Sequence, residues 1–229
     1  MILNRMKIKW NKYINRVNWY NLRTIKPVSK VFGLDRGIPI DRYYIDEFLS
    51  RNRSNIKGKV LEIAENTYSK KYDNGVTSFE ILHVDNSNKN ATIIGDLTKI
   101  ESLPSNQIDC FICTQTLNFI YNFHDAIKGI HHLLKPDGVV LATLAGISQI
   151  SRYDMNRWGD YWRFTTSSAQ NIFSDIFGKD NINVDFYGNV LSSISFLEGL
   201  SVHELTKAEL DYKDNDYQML ITVIAKKVN

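Results

Sequence analysis

Short apolar runs separated by polar segments make up most of this chain beyond residue 58. Nearly every position in these runs is apolar or β-branched, which is typical of strands buried on both faces of a parallel sheet. The pattern predicts seven strands, at residues 59–64, 79–85, 91–96, 108–115, 138–145, 181–188 and 218–227. Helical segments between them indicate an α/β fold with a doubly wound, mostly parallel seven-stranded sheet.

Two helices and one anomaly stand out between these runs. Residues 125–134 predict a helix that ends where Pro136 and the following glycine stop it, and residues 167–177 predict a second helix. Only five residues separate the runs at 79–85 and 91–96, whereas a parallel crossover usually needs a dozen or more. We therefore expect either a short or irregular strand at 79–85 or a loop in place of the crossover helix.

The N-terminal segment has a different pattern. Residues 7–22 place Trp10, Ile14 and Val17 on one stripe of a helical wheel, which predicts an amphipathic helix. Two interpretations remain open. The helix either docks on the protein's own domain or, through residues 1–30, contacts an anionic membrane surface.

Charge adds a preference for an anionic partner. The first 34 residues contain eight Lys or Arg and no Asp or Glu, so the net charge of +3 leaves about −5 on the remainder. A lipid surface, a phosphorylated glycan carrier and a nucleic acid all fit this asymmetry.

The length of 229 residues suits one well-buried domain with an appendage. We expect residues 1–54 to form a basic helical extension with a pocket-lining loop, and residues 55–229 to form the α/β domain. The loop comprises residues 35–44, followed by a short helix at 45–50. Without an 18-residue apolar window or a secretory signal, the sequence predicts a cytoplasmic protein.

The two cysteines, Cys110 and Cys113, fall inside the predicted strand at 108–115. Residues three apart on a strand point to opposite faces of the sheet, so we interpret both as small core residues. The sequence predicts neither a disulfide framework nor a metal site.

The order of these segments resembles the core of class I S-adenosylmethionine-dependent methyltransferases over residues 58–227. Residues 58–64 are similar to the first strand and the start of the cofactor loop. Residues 95–97 resemble the adenine-contacting segment, and residues 133–141 resemble the Leu-Leu-Lys-Pro-Gly-Gly passage into strand five. The resemblance implies a Rossmann-like fold with an N-terminal helical extension, S-adenosylmethionine as cofactor and S-adenosylhomocysteine as product.

Polar residues at the predicted strand ends carry the roles that this resemblance implies, because open parallel sheets bind ligands beyond those ends. Asp85 is expected to accept hydrogen bonds from the ribose hydroxyls, and Asp96 from the adenine amino group, with Leu97 packed on the ring. Further cofactor contacts are expected from Glu62, Ile63, Ala64, Glu65, Tyr68, Thr114 and Gln115. The family's first loop reads Gly-x-Gly-x-Gly, whereas residues 64–68 here contain no glycine.

Residues 152–165, together with 35–44, resemble methyltransferases associated with bacterial surface-polysaccharide and glycan assembly. Their aromatic and charged side chains would stack on sugar rings and bind hydroxyl or phosphate groups. The implied acceptor contacts are Arg36, Tyr43, Trp158, Trp162 and Arg163. Candidates for contacting or deprotonating the nucleophile are Asp160, Tyr161 and His124.

The sequence therefore predicts methyl transfer to an oxygen or nitrogen of a glycan or sugar-phosphate acceptor, at the inner face of the cytoplasmic membrane if the basic segment binds lipid. The glycine-free first loop keeps open a catalytically inactive binding or scaffold protein of a glycan-assembly system. A nucleic-acid methyltransferase is favoured least, because Thr114–Leu117 stands where an Asn-Pro-Pro-Tyr motif would follow strand four.

Overall fold

The computed structural model describes residue 10 and residues 23–228, and its seven strands form one sheet. The strands are β1 (Gly58–Ile63), β2 (Val76–His83), β3 (Ile93–Ile94), β4 (Ile108–Thr114), β5 (Leu134–Ala145), β6 (Ile182–Tyr187) and β7 (Leu220–Lys226). Their order is β3-β2-β1-β4-β5-β7-β6. Only β7 runs antiparallel to its neighbours β5 and β6. The predicted Rossmann-like, mostly parallel seven-stranded sheet is confirmed.

Helices cover both faces of the sheet. They are α1 (Ile40–Arg51), α2 (Thr67–Lys71), α3 (Phe123–Leu133), α4 (Arg152–Met155), α5 (Thr166–Phe177), α6 (Val190–Glu198) and α7 (Lys207–Asp211). The two helices predicted from the sequence are α3 and α5, with ends that shift by one or two residues. Residues of α3 and α5 pack in one core cluster, and residues of α1, α6 and α7 pack in a second.

The two cysteines divide between these clusters. Cys113 packs with α3 and α5, Cys110 packs with α1, and both side chains are fully buried. Burial raises the pKa of the Cys113 thiol to about 12, which keeps it protonated and unreactive at neutral pH. Their interpretation as core residues on opposite faces of the sheet is confirmed.

Helix α1 corrects the prediction of a loop at 35–44 followed by a helix at 45–50. The helix begins directly after Pro39, whose fixed φ suits a helix start, and Asp41 in its first turn complements the helix dipole. Its buried stripe comprises Ile40, Tyr44, Ile45, Phe48 and Leu49. This stripe shares a core with the sheet, so α1 packs as part of the α/β domain although it lies within the predicted extension 1–54.

A loop replaces the helix between β2 and β3, as one of the two sequence expectations proposed. Strand β3 pairs with β2 at only two positions, Leu82 with Ile93 and His83 with Ile94. The Thr92 hydroxyl accepts a hydrogen bond from the backbone N–H of Ile81 at 2.9 Å and so extends the pairing by a side chain.

The amphipathic helix predicted at 7–22 lies outside the described residues, apart from Trp10, whose side chain is exposed. Within the described part of the chain, no helix combines the length and apolarity needed to cross a bilayer.

Candidate active site

A cavity of about 1110 Å³ opens above the carboxyl ends of β1 to β5. The start of α1 and the loop 148–163 form its other walls. The sheet order reverses between β1 and β4, which is the position where open α/β sheets bind ligands. Its volume exceeds the roughly 300–1,000 Å³ typical of a pocket for one small molecule, so a cofactor and an acceptor fit together.

The first loop, after β1, uses a glycine-like backbone without a glycine. Ala64 has φ +64°, and Gln115 at the end of β4 has φ +48°; both residues line the cavity. The Ala64 carbonyl accepts a hydrogen bond from Asn88 Nδ2 at 2.7 Å, which fixes the turn from the β2 side. A left-handed conformation costs a non-glycine residue about 1–2 kcal/mol, and such strain concentrates at ligand sites.

Glu62 holds the other end of this loop. Its buried carboxylate accepts hydrogen bonds from the backbone N–H groups of Tyr68, at 3.1 Å, and Ser69, at 2.6 Å. Burial raises the pKa of Glu62, against the lowering effect of these donors. The carboxylate therefore positions the first turn of α2, and the Tyr68 hydroxyl accepts from Arg42 at 2.8 Å.

Beyond β3, Asp96 and Leu97 line the cavity as expected from the sequence. Asp96 Oδ1 accepts from the backbone N–H and the hydroxyl of Thr98, at 2.9 and 2.8 Å. The Leu97 carbonyl packs against Gly129 of α3, where a Cβ atom would lie only 2.0 Å from that oxygen. The position of the Asp96–Leu97 segment, which the sequence predicts to contact adenine, thus depends on a glycine in α3.

Asp85 lies outside the cavity lining, where Leu82, His83 and Val84 form the wall instead. Strand β2 ends two residues earlier than predicted, and the chain turns at once, because no helix follows. The Asp85 side chain is 57% exposed and accepts from the backbone N–H of Ser87 at 2.9 Å. Its expected role at the ribose stays a prediction, and this conformation does not place it there.

Asp160 and Arg163 form an ion pair that orders the loop 148–163. The guanidinium contacts Asp160 through two bonds, of 2.5 and 3.0 Å, and the Asp160 side chain is only 1% exposed. The remaining N–H groups of Arg163 donate to the carbonyls of residues 148, 149 and 162, so all five donors are used. In this arrangement, Asp160 is not free to accept a proton from an acceptor, and Arg163 has no N–H group left to bind a phosphate.

Four exposed aromatic side chains border the same loop, Tyr121, Tyr153, Trp158 and Tyr161, and the Arg157 guanidinium covers one face of the Tyr153 ring. The Tyr121 and Tyr161 rings meet edge to face, with centroids 5.4 Å apart. Trp162, in contrast, is absent from the cavity lining. Its indole donates to the Tyr121 carbonyl at 3.1 Å and its ring packs on Phe123, so it supports the aromatic row from behind.

Arg36, Tyr43 and His124 also lie outside the cavity lining. Arg36 pairs with Glu204, and Tyr43 donates to Asp211 at 2.6 Å on the far side of α1. His124 is exposed near the start of α3. These residues lie close in sequence to residues that line the cavity, but their side chains point away from it.

Two cavity residues escaped the sequence analysis. Asp41, in the first turn of α1, has the backbone N–H of Arg42 as its hydrogen-bond donor, and burial raises the pKa of its carboxyl. Asn118, just after β4, is 3% exposed, and its Oδ1 has no hydrogen-bond partner among the described residues. The sequence signal for Asp41 was the proline that precedes α1, and the signal for Asn118 was a polar residue within an apolar turn. Neither signal shows that the side chain points into the cavity, because that depends on the fold.

Residues 57–142 match the family described as "Methyltransferase domain". This segment runs from the residue before β1 into β5 and contains the first loop, the Asp96 segment and Asn118. The chain carries a class I S-adenosylmethionine-dependent methyltransferase domain. Its cofactor is S-adenosylmethionine.

Solved structures show the same fold around this methyltransferase domain. The chain is similar to an S-adenosylmethionine-dependent methyltransferase from Mesorhizobium loti (14% identity, TM-score 0.52, covering 85% of this chain and 100% of that one). It is also similar to one from Archaeoglobus fulgidus (12% identity, TM-score 0.51, covering 81% and 94%). Another similar chain is in the Haloferax volcanii complex of the Trm112 activator with a putative methyltransferase (11%, 0.51, 82% and 94%). No curated protein matches the sequence significantly.

The cavity of the methyltransferase fits its cofactor at the β1 to β3 end. At the end of β1, Ala64 forms a left-handed turn with a small side chain and lines the cavity wall. Asp96 and Leu97 supply an acceptor group and an apolar surface on the neighbouring strand end. Ala64 thus adopts, without a glycine, a backbone conformation that glycine adopts without strain.

Proposed function

We propose that this methyltransferase methylates an oxygen or nitrogen atom of a glycan or sugar-phosphate acceptor. The observation that carries the proposal is the row of exposed aromatic side chains beside the cofactor end of the cavity. Flat aromatic faces stack on the apolar faces of sugar rings, while the hydroxyls of Tyr121, Tyr153 and Tyr161 remain available for hydrogen bonds.

When bound, S-adenosylmethionine supplies a methyl group on a positively charged sulfur, open to direct attack by a nucleophile. The protein's task is then to hold the acceptor in line and to exclude water. The Asp160–Arg163 pair orders the loop that carries Trp158 and Tyr161, so it acts on acceptor position.

Asp41 is the carboxylate best suited to remove a proton from an acceptor hydroxyl. It lines the cavity, its recorded donor is one backbone N–H, and its pKa is raised by burial. A raised pKa makes a carboxylate a stronger base near neutral pH. Asp160, one of the three candidates from the sequence for contacting or deprotonating the nucleophile, is held in its ion pair instead.

The first test is calorimetric titration of the full chain with S-adenosylmethionine and S-adenosylhomocysteine. We expect saturable binding. Absence of binding at millimolar ligand, by protein shown to be folded, would favour the inactive binding or scaffold alternative.

The acceptor class is tested by transfer of a labelled methyl group to sugars, sugar phosphates and glycan-lipid precursors. We expect Trp158→Ala and Tyr161→Ala to raise the acceptor KM about tenfold or more without changing cofactor affinity. Tyr212→Ala, an exposed tyrosine outside the cavity, is the matched control. Cofactor binding without methyl transfer to any of these acceptors would overturn the glycan proposal alone.

A further inference from the structure

Helix α6 has its apolar and polar faces reversed. Its serines Ser192, Ser193 and Ser195 are buried, and Ser193 Oγ has no hydrogen-bond partner among the described residues. Four of its five large apolar residues, Val190, Leu191, Ile194 and Leu197, are 41–45% exposed, and Phe196 alone is buried in the core. An amphipathic helix of a globular domain normally turns such a stripe to the core. An exposed contiguous apolar face indicates a surface that contacts something else.

The segment before α1 extends this apolar surface. Residues 24–27 form a shallow groove against Ile194, Leu197 and Glu198. The backbone N–H of Ser29 donates to the Glu198 carbonyl at 2.9 Å, which ties the segment to the end of α6. Ile25 and Val28 are exposed there. We call the exposed face of α6 together with residues 23–31 the α6 surface.

Positive charge borders the α6 surface. Arg23, Lys26 and Lys30 are exposed and form no ion pair with any described residue. The whole stretch 1–34 contains eight Lys or Arg, these three included, and no acidic residue. The surface therefore combines apolar side chains with a surplus of cations, the pair of features that binds the interface of an anionic bilayer.

We propose that the α6 surface docks on an anionic lipid bilayer. Apolar side chains of α6, with Ile25 and Val28, enter the headgroup boundary, and the lysines and arginines contact lipid phosphates. The cluster of cations favours a bilayer over a second copy of this chain, because two copies would bring the same positive charges together.

Docking also orients the active-site cavity. Lys30 and Val31 of the α6 surface, and Leu34 just beyond it, line the cavity. An acceptor carried on a membrane lipid would reach the cavity from this side. The docking itself does not depend on the proposed acceptor.

The test is sedimentation of the full chain with vesicles of phosphatidylcholine alone and with vesicles that also contain phosphatidylglycerol. We expect binding to the anionic vesicles only, and binding at least about tenfold weaker for Ile194→Asp/Leu197→Asp. Ile100→Asp, an exposed apolar residue beside β3, is the control. A charge variant, Arg23→Glu/Lys26→Glu, is expected to lose binding as well, against the control Lys57→Glu/Lys89→Glu.

Equal sedimentation with both vesicle types, or no sedimentation with either, would overturn the proposal. So would unchanged vesicle binding of the aspartate and glutamate variants. A large fall in melting temperature of the aspartate variant, without wild-type vesicle binding, would show that residues 7–22 or another protein chain covers α6. Cofactor titration and methyl transfer to a soluble acceptor without vesicles are expected to be unaffected, which separates this test from that of the proposed function.

Discussion

At the scale of single residues, the backbone of Ala64 is the most informative feature of the site. Its left-handed conformation is one that glycine adopts without strain, whereas Ala pays about 1–2 kcal/mol. The methyltransferase thus forms a left-handed turn in its first loop with an alanine in place of a glycine.

Replacing Ala64 by glycine is expected to stabilise the protein by about 0.5–1 kcal/mol, because relief of strain exceeds glycine's larger loss of backbone entropy. Cofactor affinity should stay the same or increase. Urea unfolding and calorimetric titration measure both quantities. Ala208→Gly on α7 is the control and should destabilise by about 1 kcal/mol. Destabilisation of Ala64→Gly by a similar amount would contradict the left-handed turn.

The Arg36–Glu204 pair predicts a small pH effect on stability. The Arg36 guanidinium lowers the pKa of Glu204 from 4.5 to about 2. A carboxyl whose pKa is lower in the folded protein stabilises it above pH 4.5, and this contribution is lost as pH falls through 2. Both side chains are partly solvent-exposed, so solvent screening keeps the effect small.

Glu204→Gln is therefore expected to lower the melting temperature at pH 7 by about 2 °C or less, with a difference that shrinks towards pH 2. Melting curves between these pH values measure it, with Glu101→Gln as the control. A difference that grows on acidification would show that the pair does not act as described.

At the scale of secondary-structure elements, the contact between α3 and the Leu97 segment is the tightest link to the cofactor end. Gly129→Ala should gain about 0.5–1 kcal/mol from helix propensity alone. Its new Cβ, however, would lie 2.0 Å from the Leu97 carbonyl oxygen, so one backbone must move. Overpacking of this kind costs about 1–3 kcal/mol.

We therefore expect Gly129→Ala to destabilise the protein and to weaken cofactor binding, as measured by unfolding and calorimetry. Lys128→Ala, the exposed neighbour on the same helix, should leave the affinity unchanged. A stabilised Gly129→Ala variant with normal affinity would mean that the two backbones are not in contact.

Asp160, in the loop 148–163, and Asp41, in α1, are expected to have different roles. Asp160 positions the acceptor, and Asp41 is the proposed base. Asp160→Asn removes the ion pair that orders the loop, so we expect a higher acceptor KM and faster proteolysis within the loop. Asp41→Asn removes the proposed base. For a hydroxyl acceptor, it should lower kcat by about 10²–10⁴ and abolish the acidic limb of the pH–rate profile, with little change in KM. If Asp160→Asn lowered kcat and changed the pH–rate profile while Asp41→Asn raised only KM, Asp160 would be the base and Asp41 the positioning residue.

At the scale of the whole molecule, cofactor binding and folding are linked, because strand ends from β1 to β4 meet only in the folded sheet. At 100 times its dissociation constant, a ligand that binds only the native state adds about 2.7 kcal/mol of stability. For a chain of this size, this corresponds to a rise in melting temperature of about 5–10 °C. A thermal-shift assay with S-adenosylhomocysteine measures this rise. An unchanged melting temperature at millimolar ligand would contradict an organised cofactor site.

The sequence by itself determined the sheet and two of its helices. Runs such as 110–113 and 139–145 are apolar or β-branched at every position because both faces of a central strand are covered, and this property is local. The resemblance in segment order then located the Ala64 loop and the Asp96 segment at the cavity. The first half of helix α1 was missed because its turn-forming residues precede an apolar stripe whose partners lie far along the chain, at β7 and α6.

Only the tertiary structure decided which way side chains point. Asp85 and Asp96 both follow strands, yet only Asp96 lines the cavity, because the short connection after β2 turns the chain before Asp85. The sequence predicts Arg163 as a phosphate ligand, but the structure shows that all five of its N–H donors bind acceptors within its own loop. The periodicity of α6 shows an apolar stripe, but only packing shows that the serines are inside. Periodicity is a property of neighbours along the chain, whereas direction and partners depend on residues brought together by folding.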